Sequence, residues 1–224
     1  MKTRISMQSK DLDLNASLFL PFKELEILDL SSNRLVGGLK NQGFQVLASG
    51  LSNLKKLYLR ENKLNNSFLS SLSGFSTLKS LDLSNNKFTG STSFNGFQVL
   101  ASGLRNLEEL YLSSNKLNDN ILSSLSGFST LKFLDLSGNM FIGSTSINGF
   151  QVLASGLRNL EELYLSSNKL NDSILSSFSG FSTLKSLDLS GNMFILSENM
   201  FGSTNRINWS QWFKEFRKLG FVFN

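Results

Sequence analysis

The 224-residue sequence has no histidine, no cysteine and a single proline, Pro21. Each absence removes a chemistry. Without histidine or cysteine there is no Ser-His-Asp or Cys-His nucleophile, no zinc site of the usual nitrogen–sulfur kind, no haem or iron–sulfur ligation and no disulfide framework. Carboxylates, lysines, tyrosines and hydroxyls remain, and no grouping of them calls for a cofactor or a metal. Long apolar runs are missing as well: nothing approaches the roughly 18 consecutive apolar residues of a membrane span. The start, Met1 to Lys10, is polar and basic and lacks the apolar stretch of a secretory signal. Charge is modest. The 22 Lys+Arg and 17 Asp+Glu give a net +5 spread along the chain. No basic cluster of the kind that grips nucleic acid stands out, so no nucleic-acid partner is expected.

What the chain does contain is repetition. Its 43 Leu, 39 Ser and 24 Asn make up nearly half of it. A pattern Leu-x-x-Leu-x-Leu-x-x-Asn-x-(Leu/Phe) begins at Leu25, Leu54, Leu78, Leu107, Leu131, Leu160 and Leu184, at alternating intervals of 29 and 24 residues. Ser91–Phe141 and Ser144–Phe194 differ only at Phe94/Ile147, Asn120/Ser173, Leu125/Phe178 and Phe133/Ser186, which reads as a tandem duplication. A period of 20–29 residues with this motif is that of the leucine-rich repeat, a strand followed by a helical or irregular return. In Leu28-Asp29-Leu30 the leucines face one side of a strand and Asp29 the other. Asn33, Asn62, Asn86, Asn115, Asn139, Asn168 and Asn192 follow the strands, where a buried amide can pair with backbone groups of adjacent turns. No unit buries its leucines alone, so stacking must supply the core.

The returns carry helical spacings: Phe44/Leu47/Leu51, Phe97/Leu100/Leu104 and Phe150/Leu153/Leu157 in the long units, Phe68/Leu72/Phe75, Ile121/Leu125/Phe128 and Ile174/Phe178/Phe181 in the short ones. The expected fold is therefore α/β, a right-handed leucine-rich-repeat solenoid or horseshoe. It has a parallel concave sheet and short helices or turns on the convex side. Residues 1–21 form a partial N-terminal flank, 22–212 hold seven units, and 213–224 begin a truncated eighth whose open edge invites self-association. Trp209, Trp212, Phe213 and Phe216 fall at amphipathic helical spacing beside Lys214, Arg217 and Lys218; core packing of the last repeat is expected, a membrane surface being the other use.

Asn15-Ala16-Ser17-Leu18-Phe19-Leu20-Pro21-Phe22, Leu25-Glu26-Ile27-Leu28-Asp29-Leu30-Ser31-Ser32-Asn33 and Leu122-Ser123-Ser124-Leu125-Ser126-Gly127-Phe128-Ser129-Thr130-Leu131 resemble segments of plant leucine-rich-repeat receptor-like proteins. The resemblance implies the amino-terminal part of an ectodomain on the extracellular side of the plasma membrane. It also implies a peptide or protein ligand, a co-receptor kinase as partner, and a role in defence or development. The family's cysteine-paired cap, signal peptide and membrane span are not in this chain. Its Leu-x-Gly-x-Ile-Pro stretch keeps only the glycine, at Gly37, Gly90 and Gly143, which weakens the expectation of a second, convex sheet. Two other readings stand beside this one: a secreted repeat inhibitor of a microbial cell-wall enzyme, and a non-functional truncated fragment.

Repeat solenoids bind through the concave face. Three outward columns are expected there: Ile27, Lys56, Ser80, Glu109, Phe133, Glu162, Ser186; then Asp29, Tyr58, Asp82, Tyr111, Asp135, Tyr164, Asp188; then Ser31, Arg60, Ser84, Ser113, Ser137, Ser166, Ser190. Tyrosine supplies contact area at low entropic cost. The residues that break the regularity, Lys56, Arg60 and an exposed Phe133, are the expected specificity determinants. Catalysis by the aspartate column is not expected, because repetition gives the carboxylates like surroundings where an acid–base pair needs unlike ones. Four Asn-x-Ser sequons, at Asn15, Asn65, Asn171 and Asn208, are candidate glycosylation sites.

Overall fold

The computed structural model describes residues 2–4, 18–36, 42–91, 95–143 and 149–194. The sequons Asn15 and Asn208, the aromatic run from Trp209 to Phe216 and the expected eighth repeat lie outside the described residues. Every leucine pattern becomes a three-residue strand: β2 (Ile27–Asp29), β3 (Lys56–Tyr58), β4 (Ser80–Asp82), β5 (Glu109–Tyr111), β6 (Phe133–Asp135), β7 (Glu162–Tyr164) and β8 (Ser186–Asp188). An additional strand, β1 (Lys2–Arg4), precedes them, so a single eight-stranded parallel sheet runs in chain order. The N-terminal flank was not expected to contribute a strand. Thr3 pairs with Leu28 and holds the register position that leucine holds elsewhere, so the repeat pattern does not mark it.

Alternation along each strand follows from the period of two. Leu28, Leu57, Leu81, Leu110, Leu134, Leu163 and Leu187 are buried between outward residues that stay partly open on most strands. On the other side of the core the long units carry α1 (Gln42–Gly50), α3 (Gly96–Gly103) and α5 (Gly149–Gly156). The short units make a 3-10 turn, Asn66–Phe68 or Asp119–Ile121, that runs into α2 (Leu69–Leu72) or α4 (Leu122–Leu125). In the third short unit Asp172–Gly180 stays 3-10 throughout. Their helically spaced phenylalanines and leucines are core, and Phe44 meets Phe68 edge-on at 4.7 Å. A convex sheet does not develop: the described residues show only isolated bridges, Val36–Lys63 and Thr89–Lys116.

The asparagines tie successive units together as expected. Asn115 Nδ2 donates to Leu83 O and Leu112 O, each at 3.1 Å, and its Oδ1 accepts from Phe88 N–H at 3.1 Å. Asn62, Asn86, Asn139, Asn168 and Asn192 repeat the arrangement, each receiving an N–H from the unit before. To turn the amide inward, the preceding residue adopts a left-handed backbone, at Ser114 (φ 54) and Gly138 (φ 63) for example.

Candidate functional site

The sheet register sets the concave face. Lys56, Ser80, Glu109, Phe133, Glu162 and Ser186 are successive partners, and so are Tyr58, Asp82, Tyr111, Asp135, Tyr164 and Asp188. Neighbours along a column are therefore about 4.8 Å apart. Diagonal neighbours two residues along the next strand remain within reach of an aromatic ring.

Those diagonals change the expected position of Phe133. It is not exposed but half-buried, clasped between two tyrosines. Its ring centroid lies 4.6 Å from Tyr111 at 36° and 5.3 Å from Tyr164 at 34°. Glu109 and Glu162 flank it directly in register. The Tyr164 hydroxyl donates to Glu162 Oε2 at 3.0 Å. Tyr111, Phe133, Tyr164, Glu109 and Glu162 thus form one patch at the middle of the five C-terminal strands.

Burial, then the Glu109 carboxylate, pushes the Tyr111 hydroxyl up to about 12. An ordinary tyrosine ionises near pH ~10. The unfolded chain therefore loses this proton first, and stability falls as pH rises from about 10 to about 12. Phe133→Ser uncovers the Tyr111 ring, so its ionisation is expected to move down toward the ordinary value. Tyrosinate absorbance during alkaline titration measures this, and an unchanged Tyr111 midpoint in the variant would show that Phe133 does not cover it.

The aspartates of the second column serve the backbone as well as the surface. Asp29, Asp82, Asp135 and Asp188 each accept the N–H of the serine two residues on, at 2.9–3.1 Å, and so finish their strands. Burial pushes the Asp82 carboxyl up. Lys56 and Arg60 stand at the other end of the face, on and just after β3, and Arg60 is paired with Glu61. The structure therefore separates these two cations from the aromatic patch. Of the sequons, Asn65 is exposed and its Oδ1 accepts from Ser67 N–H at 3.1 Å and Ser67 Oγ at 2.6 Å. Asn171 is half-buried and caps the corresponding turn of the third short unit, accepting from Ser173 N–H at 3.0 Å.

One feature on the edge where the chain enters the strands was not read from the sequence. Glu26, Lys55, Lys79, Glu108, Lys132, Glu161 and Lys185 each directly precede a strand and form a charge ladder. Glu26 pairs with Lys55, Glu108 with Lys79 at 2.8 Å and with Lys132 at 2.9 Å, and Glu161 with Lys185 at 2.7 Å. Lys79, Glu108, Lys132 and Glu161 line an open groove of about 410 Å³ with Asn106, Thr130, Asn159 and Thr183. The near-alternation of sign at one repeat position was the available signal.

Hydrogen bonds from Lys79 and Lys132 hold the Glu108 carboxyl down at about 2, against an ordinary 4.5. A lowered carboxyl stabilises above its ordinary value and loses that contribution as pH falls toward the folded one. The expected outcome is a Glu108 carboxyl-carbon NMR midpoint near 2. Glu108→Gln should destabilise by no more than about 1 kcal/mol at neutral pH, because the pairs are solvent-exposed. A midpoint at the ordinary value would dissolve the ladder.

Stacked units, a concave parallel sheet, an asparagine ladder and a convex row of short helices define a repeat solenoid. The comparisons agree. Models described as leucine rich repeat match residues 24–47, 53–75, 77–100, 103–126, 130–153 and 150–194, and the chain belongs to the leucine-rich-repeat proteins. Cuscuta receptor 1 of Solanum lycopersicum is 37% identical over 185 residues, 80% of this chain and 14% of that protein. Receptor like protein 21 of Arabidopsis thaliana is 35% identical over 138 residues, 60% of this chain and again 14% of the relative. The chain thus spans about one seventh of either receptor's length. Among solved structures, internalin C2 of Listeria monocytogenes shares the fold with a TM-score of 0.61 at 21% identity, over 92% of this chain and 74% of that one. The plant peptide hormone receptor RGFR1 in complex with RGF2 does so with 0.51 at 24%, over 80% and 30%. Among the described residues no helix is long and apolar enough to cross a membrane.

Proposed function

We propose that this chain is a non-catalytic recognition surface for a peptide or protein, working as part of a plant cell-surface receptor ectodomain in defence or developmental signalling. In this reading residues 22–212 form the recognition unit, and signalling passes to a partner kinase on the same membrane. Asn65 and Asn171 are its glycan acceptors, each held in an N-cap turn. Lys56, Tyr58, Arg60, Asp82, Glu109, Tyr111, Phe133, Asp135, Glu162, Tyr164 and Asp188 are the ligand-facing residues. The observation that carries the reading is the aromatic patch. Three rings stand together on the outward side of a sheet whose inward side already holds the core, and half-covered aromatics are typical anchors of binding surfaces. The likeness to plant receptors, one of them a peptide hormone receptor with its partner bound, supports the same direction.

The test selects peptides from a random phage-displayed library on the full chain, then measures their affinity for variants. Tyr111→Ser with Tyr164→Ser is expected to weaken binding at least tenfold, whereas Val99→Ser on the exposed convex helix α3 leaves it unchanged. The opposite pattern would move the binding surface off the sheet.

A further inference from the structure

We infer that the Tyr111–Phe133–Tyr164 patch is a seat for a cationic side chain, an arginine or lysine presented by an extended peptide. The inference rests on the concave face being the peptide-binding surface and adds the chemistry of what it prefers.

Charge is the first support. The chain as a whole carries a net +5, yet the outward positions of β4 to β8 hold Asp82, Glu109, Asp135, Glu162 and Asp188 and no lysine or arginine. The aspartates spend one oxygen each on a serine N–H. Among the described residues, Glu109 and Glu162 form no ion pair, although the strand-entry glutamates one position earlier, Glu108 and Glu161, are all paired with lysines. Two unneutralised carboxylates thus bracket a ring, one strand away on either side.

Geometry is the second. The three rings lie 4.6 and 5.3 Å apart, tilted by 34–36°, and each is half-buried, so the row is a partly open aromatic cluster set between the two glutamates. A cation above an aromatic face is attracted by the ring quadrupole, and carboxylates at its rim add to that attraction. A guanidinium fits better than an ammonium: its plane can lie on a ring while its N–H groups reach carboxylates on both sides. A peptide running across the strands at ~4.8 Å per rung could place one such side chain between Glu109 and Glu162.

Singularity is the third. Ser80 and Ser186 hold the same repeat position on β4 and β8, and Phe133 is one of only four differences between the duplicated 51-residue stretches Ser91–Phe141 and Ser144–Phe194. The seat therefore occurs once among the described strands and gives an otherwise repetitive face a single register mark.

The experiment uses the full chain and a random phage-displayed heptapeptide library. Selected sequences are expected to share arginine, or lysine, at one position. Replacing an arginine there with citrulline, which keeps the shape and removes the charge, or a lysine with norleucine, should weaken binding roughly tenfold. Phe133→Ser installs the residue that β4 and β8 already carry, so the fold tolerates it; the enrichment should disappear on this variant and on Glu109→Gln/Glu162→Gln. Selected peptides without basic enrichment, or full affinity with citrulline or norleucine, would overturn the cation seat while leaving peptide recognition in place. No selected peptide at all, or binding indifferent to every concave substitution, would overturn the recognition reading and this one with it.

Discussion

Asn115→Ala is expected to lower the unfolding free energy by about 3 kcal/mol. The side chain satisfies the buried Phe88 N–H of the preceding unit, and alanine leaves that donor without its partner. An orphaned buried donor costs about 1–3 kcal/mol, and each net hydrogen bond lost adds about 1 kcal/mol. Of the three carbonyls it serves, the two buried ones are not orphaned, because Leu83 O also receives Asn86 Nδ2 and Leu112 O also receives Asn139 Nδ2, and the third, Ser113 O, keeps the Asn85 N–H. Aspartate should be worse than alanine at neutral pH. It keeps the acceptor for Phe88 but turns a buried carboxylate oxygen toward those two carbonyls, and its penalty should shrink as acid protonates it. Asn192→Ala should cost less than Asn115→Ala, since Asn192 is only half-buried. Urea unfolding of the variants measures all three. A loss below about 1 kcal/mol at Asn115 would mean that the ladder decorates the solenoid without holding it.

Gly103→Ala is expected to cost about 2–3 kcal/mol, through close packing between units. At the end of α3 a Cβ on residue 103 would stand 2.0 Å from the Ser73 carbonyl oxygen, 2.7 Å from its carbon and 2.8 Å from its Cα. Those atoms are backbone and cannot rotate away, so the convex row must spread. Overpacking of this kind typically costs 1–3 kcal/mol. For a chain of this size that corresponds to a thermal midpoint lowered by roughly 4–12 °C. Gly156 repeats the contact at the end of α5, 2.1 Å from the Ser126 oxygen, and should respond alike. The exposed neighbour Ser102→Ala is the control, expected to be near neutral. Equal melting of the Gly103 and Ser102 variants would show that the short and long units are not packed backbone to backbone.

Much of this fold could be read before any coordinates. Leucines at fixed offsets specify strands, and an asparagine after each strand has few other reasons to recur in a core. Helically spaced phenylalanines place the returns on the far side. What could not be read depends on register between units. Phe133 stood out against Ser80 and Ser186, but its clasp by Tyr111 and Tyr164 requires knowing which residues lie diagonally across two strand pairs. Gly103 reads as an ordinary helix C-terminus, and only the stacking distance shows why a side chain is excluded. The strand at Lys2–Arg4 was missed because threonine takes the place of the marker leucine. The backbone role of Asp29, Asp82, Asp135 and Asp188 was available from local chemistry, since aspartate commonly accepts the N–H two residues on.

The most direct test of concave recognition is an amide NMR footprint of the full chain with a library-selected peptide. Shifts concentrated on the strands around Tyr58, Tyr111, Phe133 and Tyr164, with α3 and α5 unmoved at Val99 and Val152, are the predicted result. A footprint on the helices with the strands silent would contradict it.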